Sequence, residues 1–117
     1  MDSPEPPPSH HFSLTVQPQK KASGITSLEL SKASLDHDIH APNNYLPLLG
    51  PGWLLIEPTE TESKETLDQF VHTMTGLLAE SRENPERMKD APYTMPVRRL
   101  DDVKAVRELD VAYRPAA

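Results

Sequence analysis

The fold is decided by residues 53–80, which read WLLIEPTETESKETLDQFVHTMTGLLAE. The first four residues are an uninterrupted apolar run, which predicts a buried strand. Ser63 is of a type that caps helix N termini, and acidic residues on both sides of it suit the positive end of a helix dipole. Apolar residues then recur at spacings of three and four, which predicts an amphipathic helix that ends near Arg82, because Pro85 cannot continue it. The recurring residues are Leu67, Phe70, Val71, Met74, Leu77 and Leu78.

Shorter elements are predicted on both sides of this stretch. Apolar and polar residues alternate over residues 11–16, which predicts a half-buried strand that Pro18 ends. A helix is predicted over residues 25–35, a helical turn over residues 86–90, and a last short helix capped by Asp101 or Asp102 and carrying Val103, Val106 and Leu109. This order indicates an α+β or α/β class. We take it as α+β, a small sheet with helices on one side.

The domain boundaries follow from proline and glycine content. Residues 1–9 hold four prolines and are predicted to be a disordered or extended lead-in. Residues 10–109 are predicted to form one domain and residues 110–117 a tail. Within the domain, residues 36–52 form a long connection, and connections of this length are usually functional or disordered.

Composition excludes several classes of function. The hydrophobic fraction is 36%, below the average of about 45–50%, so the core is expected to be thin. The net charge of −6 without a basic stripe argues against nucleic acid and anionic membrane surfaces. The absence of cysteine excludes disulfides, thiolate zinc sites and cysteine nucleophiles. With no apolar leader and no run long enough to span a bilayer, we expect a cytoplasmic protein.

The densest polar cluster is residues 57–63, between the predicted buried strand and the long helix. Such a junction is a common place for a binding loop, because helix N-terminal amides point at ligands. Its carboxylates would repel an anionic phosphate, and composition alone favours a solvated helix start. Tyr45, in the long loop, could reach a ligand or pack on the core with its hydroxyl in water.

Two further clusters are weaker candidates. His37 and His40 flank Asp38, and a metal site that also used the adjacent His10 and His11 is conceivable. Spacing alone does not show that the three or four ligands it would need converge. The pair Arg98-Arg99 could bind a carboxylate, but we favour its neutralisation by Asp101 and Asp102.

Several stretches resemble the C-terminal part of one known family. The resemblance is to the glycine decarboxylase P-protein of the glycine cleavage system, in particular the second subunit of its bacterial two-subunit form. The matching stretches are residues 56–68 (IEPTETESKETLD), 83–86 (ENPE), 91–92 (AP), 94–101 (TMPVRRLD) and 104–107 (KAVR). Upstream, in one register, follow Phe12-x-Leu14, Lys20-Lys21-x-x-Gly24-Ile25, Leu28, Lys32, Leu35-Asp36, His40-x-Pro42 and Tyr45-x-Pro47-Leu48.

The resemblance implies an activity and partners. P-proteins decarboxylate glycine with pyridoxal phosphate and pass the aminomethyl group to the lipoyl arm of the H-protein, and the cofactor is the electron sink. The fold implied is the small C-terminal domain of type I pyridoxal-phosphate enzymes. By the same resemblance, the residues facing the active site would be His40, Tyr45, Glu57, Thr59 and Glu60. The implied partners are the P-protein subunit carrying the cofactor domain and the H-protein.

The departures from the family pattern restrict what the chain is expected to do alone. The family's cofactor lysine lies in a His-Lys segment ahead of a glycine-rich run, and this sequence has four glycines and no such segment. We therefore expect that the isolated chain neither binds the cofactor nor catalyses the reaction. Asp38 stands where the family usually has glycine, which matters if the turn there needs a positive φ. Leu46 replaces a usual Phe, and residues 113–117 replace a closing Arg-Trp.

Three hypotheses follow. The preferred one is a glycine decarboxylase C-terminal domain, either a split piece or a relic. The second, from a different class, is a non-catalytic interaction module that presents an apolar helix face and a proline-rich head to a partner. The third and most distant is a small metal-binding protein using His10, His11, His37 and His40.

Overall fold

The structure is a computed structural model that describes residues 11–44 and 52–115. The predicted lead-in, Tyr45 and Leu46 lie outside these ranges. Within these ranges, the chain forms one two-stranded sheet and five helices. The elements are β1 (Phe12–Thr15), α1 (Gln17–Ser23), α2 (Ser27–Leu35), β2 (Trp53–Ile56), α3 (Lys64–Glu83), α4 (Pro85–Asp90) and α5 (Asp102–Arg107).

The two strands pair antiparallel and confirm both strand predictions. Phe12 lies opposite Ile56, and Thr15 lies opposite Trp53. Beyond the last pair, the Val16 N–H donates to the Gly52 carbonyl oxygen at 2.8 Å. Burial along β2 alternates, so that Leu54 and Ile56 are buried while Trp53 and Leu55 are half-buried. The strand therefore shows the period-two pattern of a sheet with one buried face.

The helix α1 was not predicted from the sequence. Pro18 was expected only to end β1, but it lies in the first turn of α1, where a missing N–H removes no intrahelical hydrogen bond. At the other end of α1, Gly24 has a φ of 75° and its N–H donates to the Lys20 carbonyl oxygen. Pro18 thus both ends the strand and begins a helix, and glycine supplies the left-handed residue that ends it.

The helix α2 begins two residues later than predicted and buries a different face. Thr26 and Glu29 form a capping box, in which the Thr26 N–H donates to Glu29 Oε2 at 2.9 Å. Ile25 is fully buried but precedes the helix. The face was predicted from Ile25, Leu28 and Leu35 with Ala33 beside them, but Leu28 and Leu35 are only half-buried. The buried helical residues are Ser27, Leu30, Ser31, Ala33 and Ser34.

Ser31 and Ser34 are part of the buried face of α2 because their side chains are small and their hydroxyls are hydrogen-bonded. The Ser34 hydroxyl donates to the Ser31 carbonyl oxygen at 2.8 Å, so its polar group is satisfied while the side chain is completely buried. Counting apolar residues alone misses such positions, because a serine bonded to its own helix packs like a small apolar residue. The α2 helix packs on α3 and α4 through this face.

The long helix is confirmed with its cap. The Ser63 side chain accepts a hydrogen bond from the Thr66 N–H at 3.2 Å, and the helix runs to Glu83. Met74 and Leu77 reach the core, whereas Leu67 and Val71 of the predicted apolar face are 40% and 62% exposed. The core cluster is Val16, Ile25, Leu30, Ala33, Leu54, Met74, Leu77, Met88 and Ala91.

The predicted class, α+β with a small sheet, is confirmed. The two short C-terminal helices predicted from the sequence are present as α4 and α5, and the Asp101 carboxylate caps α5 by accepting from the Lys104 N–H at 2.8 Å. The prediction that this last helix carries Leu109 is wrong, because α5 ends at Arg107. The apolar residues of α5 are nevertheless exposed. The core therefore lies between the sheet and α2–α4, and α5 contributes no buried residue to it.

The turn after α2 requires a positive φ at Asp38. The Asp38 N–H donates to the Leu35 carbonyl oxygen and the Ile39 N–H to the Ser34 carbonyl oxygen, both at 3.2 Å. This is the hydrogen-bond pattern of a Schellman motif, whose left-handed position favours glycine. Asp38 occupies that position with a φ of 59°. An aspartate therefore stands at a position of the turn that suits glycine best.

We expect Asp38→Gly to raise the free energy of unfolding by about 0.5–1 kcal/mol, because glycine adopts this φ without strain. Asp38→Val is expected to lower it by about 1 kcal/mol, since a β-branched residue fits the left-handed region poorly. Urea denaturation followed by circular dichroism measures both. A glycine variant less stable than the wild type would contradict the proposed strain.

Candidate functional site

The strand β2 lies between β1 and the loop that follows α2. On the edge away from β1, the Leu55 N–H donates to the Asn43 carbonyl oxygen at 3.0 Å in an isolated antiparallel bridge. Because the bridge is antiparallel, the residues before Asn43 lead to the same end of β2 as the residues after Leu55. His40 and Glu57 therefore belong to two chain segments that approach one end of the sheet.

The helix α2 holds this loop in place. The Ser31 hydroxyl lies 2.9 Å from Asn44 Oδ1 and 3.4 Å from the Pro42 carbonyl oxygen. Ser31 is buried, so both contacts are made at the base of the loop and not in open solvent. The described end of the loop is thus fixed between α2 and β2. The segment that carries His40 therefore has a fixed path toward this end of the sheet.

The second segment is residues 57–62, which we name the acidic junction. All six of its residues are exposed. The Glu62 N–H donates to the Thr59 carbonyl oxygen at 3.1 Å, and the Thr59 and Thr61 hydroxyl oxygens lie 2.9 Å apart. The junction therefore forms a compact turn ahead of the capped start of α3, and its three glutamates are exposed.

The structure describes four of the five site residues that were predicted from the sequence. His40, Glu57, Thr59 and Glu60 are exposed, and they belong to the two segments that converge at the end of β2. Tyr45 lies outside the described residues. Within residues 11–44 and 52–115, no group of three or more His, Asp or Glu side chains is placed to hold a metal ion.

The described residues do not fit pyridoxal phosphate, the cofactor implied by the resemblance. A recess between α2, α3 and α4 has a cavity volume of about 40 Å³, which suits a few water molecules and not a cofactor. It is lined by Ala33, Asp36, His37, Leu77, Glu80, Arg87, Met88, Ala91 and Tyr93. At the acidic junction the carboxylates would repel the cofactor's phosphate.

A third feature, which the sequence did not reveal, joins the end of α2 to the chain after α4. The Asp36 carboxylate accepts hydrogen bonds from the Tyr93 N–H at 2.7 Å, from the Thr94 N–H at 2.8 Å and from the Thr94 hydroxyl at 2.8 Å. We call these contacts the carboxylate clamp. They join residues 57 and 58 positions apart in the sequence, and no local pattern signals such a pairing.

The clamp changes the acidity of Asp36. Partial burial alone would raise the pKa of Asp36, but hydrogen bonds from Thr94 and Tyr93 outweigh it and hold the pKa below its usual value of 3.8. The pKa of Glu29 is lowered for similar reasons. Burial alone would raise the pKa of Glu29, but hydrogen bonds from Thr26, with a smaller contribution from the Arg99 charge, bring it below 4.5. Both carboxylates are therefore ionised structural groups.

The pair Arg98-Arg99 has other partners than Asp101 and Asp102. Arg98 donates to the Asp90 and Pro92 carbonyl oxygens at 2.6 and 2.9 Å and lies over the Tyr93 ring at 4.7 Å. Arg99 donates to the Lys89 carbonyl oxygen at 2.7 Å and lies 3.8 Å from the Glu29 carboxylate. Carbonyl oxygens at the end of a helix attract cations, which explains why both guanidinium groups turn back to α4.

A family profile described as "Glycine dehydrogenase, C-terminal domain" matches residues 5–95. Among curated proteins, the chain is 57% identical over 109 residues to the probable glycine dehydrogenase (decarboxylating) subunit 2 of Thiobacillus denitrificans, covering 93% of this chain and 23% of that protein. Proteins with the same description from Thioalkalivibrio sulfidiphilus and Nitrosospira multiformis are 53% and 56% identical, over 93% and 91% of this chain and 22% and 21% of theirs. The chain thus spans less than a quarter of the length of these relatives.

Among the described residues, no helix is long and apolar enough to cross a membrane.

Proposed function

This chain belongs to the glycine dehydrogenase C-terminal domain family, and on that premise we propose that it serves as the C-terminal domain of a working glycine decarboxylase. The observation that carries the proposal is the 57% identity to a decarboxylating subunit 2 across 93% of this chain. The matched segment contains a core cluster and the capped long helix α3. The domain has the structural means to dock as a preformed unit.

The proposed reaction is the decarboxylation of glycine, with transfer of the aminomethyl group to a lipoyl H-protein. When bound in the complete enzyme, pyridoxal phosphate supplies the electron sink for this reaction. We assign the cofactor and its lysine to the polypeptide that corresponds to the remaining three-quarters of the relatives. Residues 11–44 and 52–115 do not fit the cofactor, so we assign to this chain the role of completing and shaping the site.

We propose that His40, Glu57, Thr59 and Glu60, with Tyr45, face that site. For the four described residues, support comes from position, since the loop held by Ser31 and the acidic junction lead to one end of β2. Their exposure also supports it: the first four are surface residues of this domain and remain available to a docked partner. Carboxylates there suit a cationic or hydrogen-bond-donating group better than a phosphate.

The assay combines this chain with the Thiobacillus denitrificans relative truncated before its matching segment, which we call the truncated relative, and with the other subunit of that enzyme. Glycine-dependent release of carbon dioxide and the visible absorbance of bound pyridoxal phosphate are recorded. We expect no activity from this chain alone and activity from the mixture. A mixture that forms a complex but releases carbon dioxide no faster than the truncated relative alone would contradict the proposal.

In this mixture, Glu57→Gln is expected to lower the rate at least about tenfold, because a misplaced or missing polar contact at a reacting centre has effects of that size. Glu65→Gln is the matched control, since Glu65 is also exposed but lies within the first turn of α3. In urea, Glu57→Gln should be as stable as the wild type, and Glu65→Gln should lose at most about 1 kcal/mol, because Glu65 interacts favourably with the helix dipole. Equal rates for the two variants would count against the placement of the acidic junction at the active site.

A further inference from the structure

The chain after residue 95 carries a row of exposed apolar residues. We name residues 96–115 the arm, and every one of them is exposed. Large apolar residues recur in it at every third position, with exposed fractions between 61% and 82%. They are Val97, Leu100, Val103, Val106 and Leu109. Val111 and Tyr113, further along the chain, are also exposed.

This row is not the usual scatter of apolar residues on a protein surface. Single exposed apolar residues are normal, whereas contiguous groups mark interaction sites. Val103 and Val106 are three residues apart on α5 and so lie on one side of it. The helix is fixed by its Asp101 cap, so these side chains are presented on an ordered element.

The root of the arm is held to the domain. Arg98 and Arg99 donate to the Asp90 and Lys89 carbonyl oxygens at the end of α4, and Arg99 also contacts Glu29 at the start of α2. The arm therefore leaves the domain from a defined point. An anchored root lowers the entropy that a partner must remove on binding, which favours docking.

The relatives indicate what covers this row. Because 109 of the 117 residues match the Thiobacillus denitrificans protein, the match reaches at least to Leu109 and includes the whole row. More than three-quarters of that protein lies outside the match. The remaining polypeptide is thus large enough to provide a groove, and the segment that carries the row is present in a protein that contains both parts.

Resting on the proposed function, we infer that the arm docks its row of apolar side chains into an apolar groove of the polypeptide corresponding to the remainder of the relatives. The acidic junction would then face the active site while the arm supplies the binding energy. Burial of side chains from Val97 to Leu109 removes apolar surface from water, which is the main driving force for association.

The test measures binding of the full chain to the truncated relative by isothermal titration calorimetry. The arm variant carries Val103→Ser, Val106→Ser and Leu109→Ser, and the control carries Leu67→Ser and Val71→Ser, which change exposed apolar residues of α3. We expect the arm variant to bind at least a hundredfold more weakly and the control to bind within about twofold of the wild type. Urea denaturation should show that both variants are folded.

Equal binding of the arm variant and the wild type, or equal weakening by the control, would overturn the inference. Analytical ultracentrifugation of the chain alone adds a second check, because self-association that the arm variant abolishes would assign the row to a second copy instead. Wild-type binding that depends on the arm but yields no activity would support the inference and contradict the proposed function. Activity of the wild-type mixture, together with undiminished binding of the arm variant, would support the proposed function and contradict the inference about the arm. Absence of any binding by the wild type would overturn the inference.

Discussion

Leu54→Ala is expected to lower the free energy of unfolding by about 3 kcal/mol, the largest effect of any single substitution considered for this chain. Leu54 is completely buried at the centre of β2 and belongs to the core cluster. A thin core has few other contacts to compensate for a cavity, so the loss includes both the transfer free energy and the cavity term. Urea denaturation followed by far-ultraviolet circular dichroism measures it.

Leu67→Ala is the control for this prediction. Leu67 is 40% exposed on α3, so truncating it removes little buried surface, and a change below about 1 kcal/mol is expected. If both variants lost the same stability, the core would not be where the structure places it. A Leu54→Ala protein as stable as the wild type would contradict the packing of β2 directly.

Asp36→Ala is expected to lower the free energy of unfolding by about 2 kcal/mol. The substitution removes the acceptor of hydrogen bonds from Tyr93 and Thr94, which tie the chain after α4 to the end of α2. Hydrogen bonds to a charged group are worth about 1.5–3 kcal/mol, and solvent screening of this partly exposed group places the total at the lower end. Asp36→Asn keeps one acceptor oxygen and should lose less.

The effect of Asp36 depends on pH with a defined sign. Its pKa is lowered in the folded protein, so the unfolded chain binds more protons and the carboxylate stabilises the fold above its usual pKa of 3.8. This contribution is lost as the pH falls through the lower folded value. The stability difference between wild type and Asp36→Ala should therefore be full at pH 7 and shrink below pH 3.8.

Asp68→Ala is the matched control, because it removes the exposed ion pair with Lys64 on α3. We expect it to change stability by less than about 0.5 kcal/mol at any of these pH values. A difference for Asp36→Ala that stays constant down to strongly acidic pH would show that the carboxylate charge is not what holds the clamp.

Local signals in the sequence predicted much of the fold. Ser63 and the apolar spacing after it were sufficient to predict α3, and alternation was sufficient to predict β1. Caps and periodicity involve only residues that are close together in the sequence. The helix α1 was missed because Pro18 was interpreted only as the end of a strand. The buried face of α2 was misassigned because both of its central serines are buried with satisfied hydroxyls: Ser34 bonds to its own helix, and Ser31 bonds to the loop at Asn44 and Pro42.

The candidate site was predictable to a smaller extent. The residues of the acidic junction were singled out from their polarity and remain a proposal, but the approach of their segment and of the His40 segment to one end of β2 depends on the bridge from Asn43 to Leu55, which is a tertiary contact. The carboxylate clamp and the turn of Arg98 and Arg99 toward α4 are likewise long-range pairings. A hydrophobic or charge pattern along the chain carries no information on such partners.

The most direct measurement of the central claim uses a chimera in which this chain replaces the matching C-terminal segment of the Thiobacillus denitrificans relative. Covalent linkage removes any requirement for assembly of separate chains, so only the ability to serve as the C-terminal domain is tested. We predict glycine-dependent carbon dioxide release within about tenfold of the unaltered relative, and at least a hundredfold above the relative that lacks the segment. A folded chimera with pyridoxal phosphate bound but no more activity than the truncated relative would contradict the claim.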